Sequence, residues 1–155
     1  MKIVSIVGVA LLTAACSSGS SSGSSGSNSI DGNWLYTDAA GTGGVGLTFN
    51  ADGTYVLTEL VETSSTSFNA QVEDGTFTVS GNTITETPQK SSCPGPVPVH
   101  QLTYSFQGSN LAVTDSSAVV VLQPNTATAS NAAIVIGCFD ANNNFTAQPL
   151  APVSN

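Results

Sequence analysis

Few residues in this chain could do chemistry: one histidine, His100, three cysteines and ten carboxylates. His100 has no second histidine, no Gly-x-Ser-x-Gly elbow and no basic partner, so the elements of a hydrolytic triad are missing. A lone histidine at the start of an apolar alternation reads first as a hydrogen-bonded structural residue. Glu59 with Glu62, or Glu73 with Asp74, could divide acid and base roles, yet the spacing brings neither pair into a pocket. Asp140-Ala141-Asn142-Asn143-Asn144 copies the first half of a calcium loop. Phe145 stands where the sharp turn needs glycine, however, and Ala151 where a bidentate glutamate is needed, so the stretch reads as a polar turn. The sequence points to no enzyme, no cofactor and no metal site.

The cysteines say more. Met1-Lys2 and an apolar run over residues 3–12 form a signal-peptide core, well short of the ~20 residues of a spanning helix. Leu12-Thr13-Ala14-Ala15-Cys16 resembles the lipobox of bacterial lipoproteins, although Thr13 occupies the place usually held by leucine. The resemblance implies cleavage of residues 1–15, a diacylglycerol on the Cys16 sulfur and an acyl chain such as palmitate on the new amine. Residues 17–29 are almost wholly Ser and Gly, a flexible coil of roughly 20 Å mean reach. They suit a tether between a lipid anchor and a domain. Ser17 after the cysteine implies the outer membrane of a Gram-negative envelope. With Cys16 so used, Cys93 and Cys138 remain as an even pair in an oxidising compartment. The expectation is a disulfide closing a loop of about 46 residues, worth ~4 kcal/mol in the chain-entropy treatment; two free thiols or half a metal site are the alternatives. His100 alone cannot complete a zinc site.

Residues 30–147 are of a size for one domain with its own core, followed by a tail over 148–155. Lys90 is the only Lys or Arg beyond residue 2, set against ten acidic residues. Such a chain cannot neutralise phosphates, which excludes nucleic acid as a partner and makes anionic headgroups poor ones.

No window after residue 30 has a helical period. Val, Ile, Thr, Phe and Tyr fall in short runs divided by Gly, Asn, Asp and Ser, which predicts an all-β chain of consecutive hairpins. Strands are expected over 33–37, 45–49, 55–62, 67–73, 76–80, 83–87, 99–107, 111–114, 118–122 and 132–139. Val45, Leu47 and Phe49 share a parity, as do Leu102, Tyr104 and Phe106, Leu111 and Val113, and Ile134 and Ile136, marking inward sets. Phe68, Ala70 and Val72 are even whereas Phe77 and Val79 are odd. If both runs face one core, an extra residue or a strand break belongs at Asp74-Gly75.

Gly32-x-Trp34, Phe49-x-x-Asp52-Gly53-x-Tyr55 and the aromatic-x-x-x-Gly-x-x-aliphatic hairpins at Phe77 to Ile84 and Tyr104 to Leu111 resemble the small lipocalin-like domains of bacterial lipoproteins, within the calycin group. The likeness covers about residues 30–122. It implies an antiparallel up-and-down meander barrel of eight to ten strands, with Trp34 across its closed end. It also implies that the barrel holds a small, mostly apolar neutral ligand. Trp34, Tyr55, Leu57, His100, Leu102, Tyr104 and Phe106 are the candidate lining residues. The alternative is a packed barrel, structural or inhibitory, that meets another envelope protein through its loops. Lys90 lies at a strand end outside any apolar run, so a ligand carboxylate or phosphate would find no cation inside. Neutral or cationic ligands are the expectation.

Overall fold

Tight turns at 50–53, 80–83 and 107–110 reverse the chain between apolar runs, with Gly53 (φ 82°) and Gly108 (φ 64°) adopting the left-handed backbone that such turns need. The computed structural model describes residues 29–115, 118–126 and 132–153. Cys16 and residues 17–28 of the expected tether lie outside them. Strands β1 (Gly32–Thr37), β2 (Gly43–Phe49), β3 (Thr54–Ser64), β4 (Ser67–Ser80), β5 (Thr83–Ser91), β6 (His100–Gln107), β7 (Asn110–Thr114) and β8 (Val119–Pro124) each pair antiparallel with the next. β8 returns to β1 through Trp34↔Pro124 and Leu35↔Gln123. The result is a closed, eight-stranded, up-and-down β-barrel. Closure removes the free edges that an open sheet would expose.

Alternation along the strands fills the interior. Leu47, Phe49, Tyr55, Ile84, Leu111, Val113 and Leu122 form the core with Ile30 and Trp34, and Phe77, Tyr104 and Phe106 pack against them. Each such side chain, fully buried, contributes roughly 1.5–3 kcal/mol. The aromatic residues gather at one end, the end of the β2–β3, β4–β5 and β6–β7 turns. Phe49 meets Phe77 edge-on at 4.7 Å. The Trp34 Nε1–H donates to the Ile30 carbonyl at 2.7 Å, so the incoming chain folds under this closed end. At the other end lie the β1–β2, β3–β4 and β7–β8 connections and the 92–99 loop.

β4 departs from the expected pattern. It runs unbroken for fourteen residues, and its register with β3 is regular from Thr54↔Thr76 to Glu62↔Phe68. Phe68, Ala70 and Val72 therefore lie on the opposite face from Phe77, and with Leu60 they build a second, outer cluster. The two parities reflect two cores, and β4 carries no inserted residue. An irregularity does occur at Asp74-Gly75, but on the partner strand: Asp74 pairs with Lys90 and Gly75 with Pro88, leaving Gln89 as the extra residue of β5.

The long end of β4 carries the remaining strands. β9 (Ala133–Phe139) runs parallel to it over Ser67–Ala70, taking the side that β5 occupies lower down. β10 (Phe145–Ala147) pairs with β9, and β11 (Ala151–Pro152) with the end of β5. The expected strand over 132–139 is thus a buttress outside the barrel wall, and Ile134 and Ile136 are exposed where an inward set was expected. The expected tail over 148–155 includes a short docked strand. Cys93 and Cys138 form the expected disulfide, with Cα atoms 4.8 Å apart, which ties the loop after β5 to β9. Beside it the buried Ser92 hydroxyl donates to the Gly137 carbonyl and accepts from the Val72 N–H.

Gly75 is where β4 and the bulged β5 approach most closely. A Cβ there would fall inside the contact distance of the Thr87 carbonyl oxygen and the Pro88 Cα, both of them backbone atoms that cannot swing away. Gly75→Ala should lower stability by about 2 kcal/mol or more, in the range of overpacking changes. Urea melts of the two proteins would measure it; equal midpoints would contradict the close approach.

Candidate ligand-binding site

The aromatic end is packed, but the other half of the barrel is not. Between the strands there lies a cavity of about 350 Å³ lined by Val45, Leu47, Leu57, Leu102, Val113, Ala118, Val120 and Leu122, with Glu86, His100 and Asp115 among them. The wall follows from strand alternation. Val45 and Leu47 come from β2, Leu57 from β3, Leu102 from β6, and Val113 from β7, each two residues from a core position such as Phe49, Tyr55 or Leu111. Smaller aliphatic side chains at this level leave the space that aromatic rings occupy at the closed end.

Of the candidate lining residues, Leu57, His100 and Leu102 stand on the cavity wall. Trp34, Tyr55, Tyr104 and Phe106 belong to the packed end instead. The division has a geometric cause: these rings sit one or two alternations nearer the closed turns, where Trp34 and Phe106 lie 6.1 Å apart and Phe106 meets Tyr104 edge-on. Trp34 occupies the place expected of a closed-end plug.

The polar side of the cavity was largely missed from sequence. In the sequence Glu73 stands out only beside Asp74, and Glu86 has no acidic neighbour to mark it. Glu86 is 2% exposed, and its Oε1 has no hydrogen-bond partner. Beside it is Glu73, which accepts from the Tyr55 hydroxyl at 2.5 Å and whose other oxygen lies 3.9 Å from His100 Nε2. Glu73 thus carries one hydrogen bond, and its other oxygen faces the imidazole. Burial, and then the Glu73 charge, push the Glu86 carboxyl up from 4.5 to about 7. Tyr55 moves in the same sense: burial first, then its bond to Glu73, raise the phenol well above its usual value and keep it a donor. A sequence signal for Glu86 did exist, since Ile84, Glu86 and Pro88 share the inward parity of β5.

Asp74 and Lys90 face outward from the barrel, with Lys90 Nζ 3.5 Å from Asp74 Oδ2. Asp140, in the calcium-like stretch, spends its carboxylate on the chain itself. Its Oδ1 accepts from the Asn142 and Asn144 N–H groups and its Oδ2 from the Asn144 amide, bonds that lower its pKa. The stretch is a self-satisfied turn. Among the described residues no group of three or more His, Cys, Asp or Glu is placed to hold a metal ion, and no helix is long and apolar enough to cross a membrane. Comparison with protein families, with curated proteins and with solved structures found no match. What the site does has to be read from its own chemistry.

Glu86 makes stability depend on pH in a definite sense. A carboxyl whose folded pKa is raised binds its proton more tightly in the folded state, so its stabilising effect is full below about pH 4.5 and is lost as pH rises through about 7. The loss is on the order of 3 kcal/mol. Glu86→Gln, neutral at every pH, should therefore gain on the native protein by about that amount between pH 4 and pH 8. Denaturant melts of both proteins across this range would show the gap opening; a gap independent of pH would mean that Glu86 is ordinarily solvated.

Proposed function

We propose that this protein binds a small, mostly apolar molecule inside the barrel and works as a lipid-anchored lipoprotein of the bacterial envelope. The cavity of about 350 Å³ carries the reading, since its size and largely aliphatic wall are those of small-molecule sites. A barrel built only as a scaffold gains by filling that space, because each unfilled methyl-sized void costs ~1 kcal/mol. The lipocalin-like sequence motifs support the same function. The lipobox-like Cys16 and the Ser/Gly run after it support the anchor, with the outer membrane as its site. No catalytic role is proposed. The rival reading, contact with another envelope protein, draws on the exposed Ile134, Val135 and Ile136 of β9.

Native mass spectrometry of protein purified from its own envelope should show a retained small molecule, and Leu57→Trp with Leu102→Trp, which fills the cavity, should release it. A bare mass for the native protein would favour the rival reading. Cys16→Ser should move the protein from the membrane to the soluble fraction. Continued membrane association of that variant would remove the anchor.

A further inference from the structure

An apolar cavity that contains an unpartnered carboxylate asks something particular of its occupant. Glu86 lines the cavity, and its Oε1 is buried and bonds to nothing, an arrangement that costs stability unless a ligand completes it. Glu86 is faced by Tyr55 from β3, Glu73 from β4, His100 from β6, its register partner on that strand, and Asp115 at the end of β7. From β2 and β8 it is faced only by aliphatic side chains. Two carboxylates, Glu86 and Asp115, thus line one apolar space, with Glu73 beside Glu86, and the only Lys beyond residue 2 points away from it, to Asp74.

We infer that the cavity takes a primary or secondary amine with an apolar body, its ammonium group donating to Glu86 and its hydrocarbon part lying against Leu57, Leu102 and Val120. This rests on the small-molecule reading above and narrows its ligand class. An ammonium supplies both the donors that Oε1 lacks and the charge that balances Glu86 beside Glu73. A neutral alcohol supplies one donor and no charge. A carboxylate would add a further negative charge to an acidic site. Asp115 in the lining and the exposed Glu59, which shares the inward parity of β3, place further negative charge about the cavity and favour the approach of cations. Because the amine needs Glu86 ionised, its binding expels the proton that the empty site holds near neutrality.

The test uses 2-phenylethylamine, 2-phenylethanol and 3-phenylpropionate as probes, measured by calorimetry on the soluble Cys16→Ser protein. The amine should bind at least tenfold more tightly than the alcohol at pH 8, and about tenfold more weakly at pH 6 than at pH 8, with the propionate weakest of the three. In Glu86→Gln, whose fold the melts above verify independently, the amine should lose its advantage over the alcohol and its pH dependence. Glu73→Gln should weaken the amine less, since Glu73 already accepts from Tyr55 and is not on the cavity wall. If the alcohol or the acid binds as well as the amine at pH 8, the inference fails while the binding reading stands. If none of the three binds, the small-molecule reading falls and the inference with it.

Discussion

The character of the barrel interior depends on one extra residue. Ile84, Glu86 and Pro88 alternate inward along β5, and an unbroken strand would bring Lys90 in next, beside Glu73. Gln89 prevents this. By occupying a position with no partner on β4, it reverses the phase of β5, so that Ser91 turns inward opposite Glu73 and Lys90 turns outward to Asp74. The bulge fits because Gly75 has no side chain where the two backbones close on each other. Without it Lys90 would lie inside the barrel opposite Glu73. With it Glu73 accepts from the Tyr55 hydroxyl and lies 3.9 Å from His100 Nε2, while Glu86 Oε1 has no partner.

The same strand explains why the molecule is more than a barrel. β4 is too long for one neighbour, and it is shared along its length: β5 below, Ser92 at the junction, β9 above. Its two faces accordingly serve two clusters, the interior and the outer group of Leu60, Phe68, Ala70 and Val72. The Cys93–Cys138 bond and the Ser92 hydroxyl lie at that junction and couple the loop leaving β5 to the buttress strand. A crosslink there limits how far the 92–99 loop, at the open end of the barrel, can travel when the buttress is strained.

Local chemistry was legible from the sequence, and long-range pairing was not. Glycines and asparagines marked the hairpins, and period-two alternation sorted Val45, Leu47 and Phe49 from their neighbours correctly, because both are properties of a few adjacent residues. The two parities of β4 were visible as well. Their meaning was not, since a change of parity looks the same whether a strand bulges toward one core or passes between two. Whether 132–139 joins the wall or lies outside it depends on a parallel pairing made more than sixty residues away in sequence. Cys93 and Cys138 were legible by counting. Glu86 lay on an inward parity next to Ile84 and was passed over because glutamate is so rarely buried. An acidic residue in phase with a strand's apolar set is a stronger signal of a site than any aromatic.

The chain enters the barrel beneath its sealed end, where Ile30 is buried and its carbonyl is held by the Trp34 indole. The opening is at the far end, a whole strand length from that entry. Anything joined ahead of residue 29 is therefore attached at the sealed end, and the opening stays a strand length clear of the point of attachment.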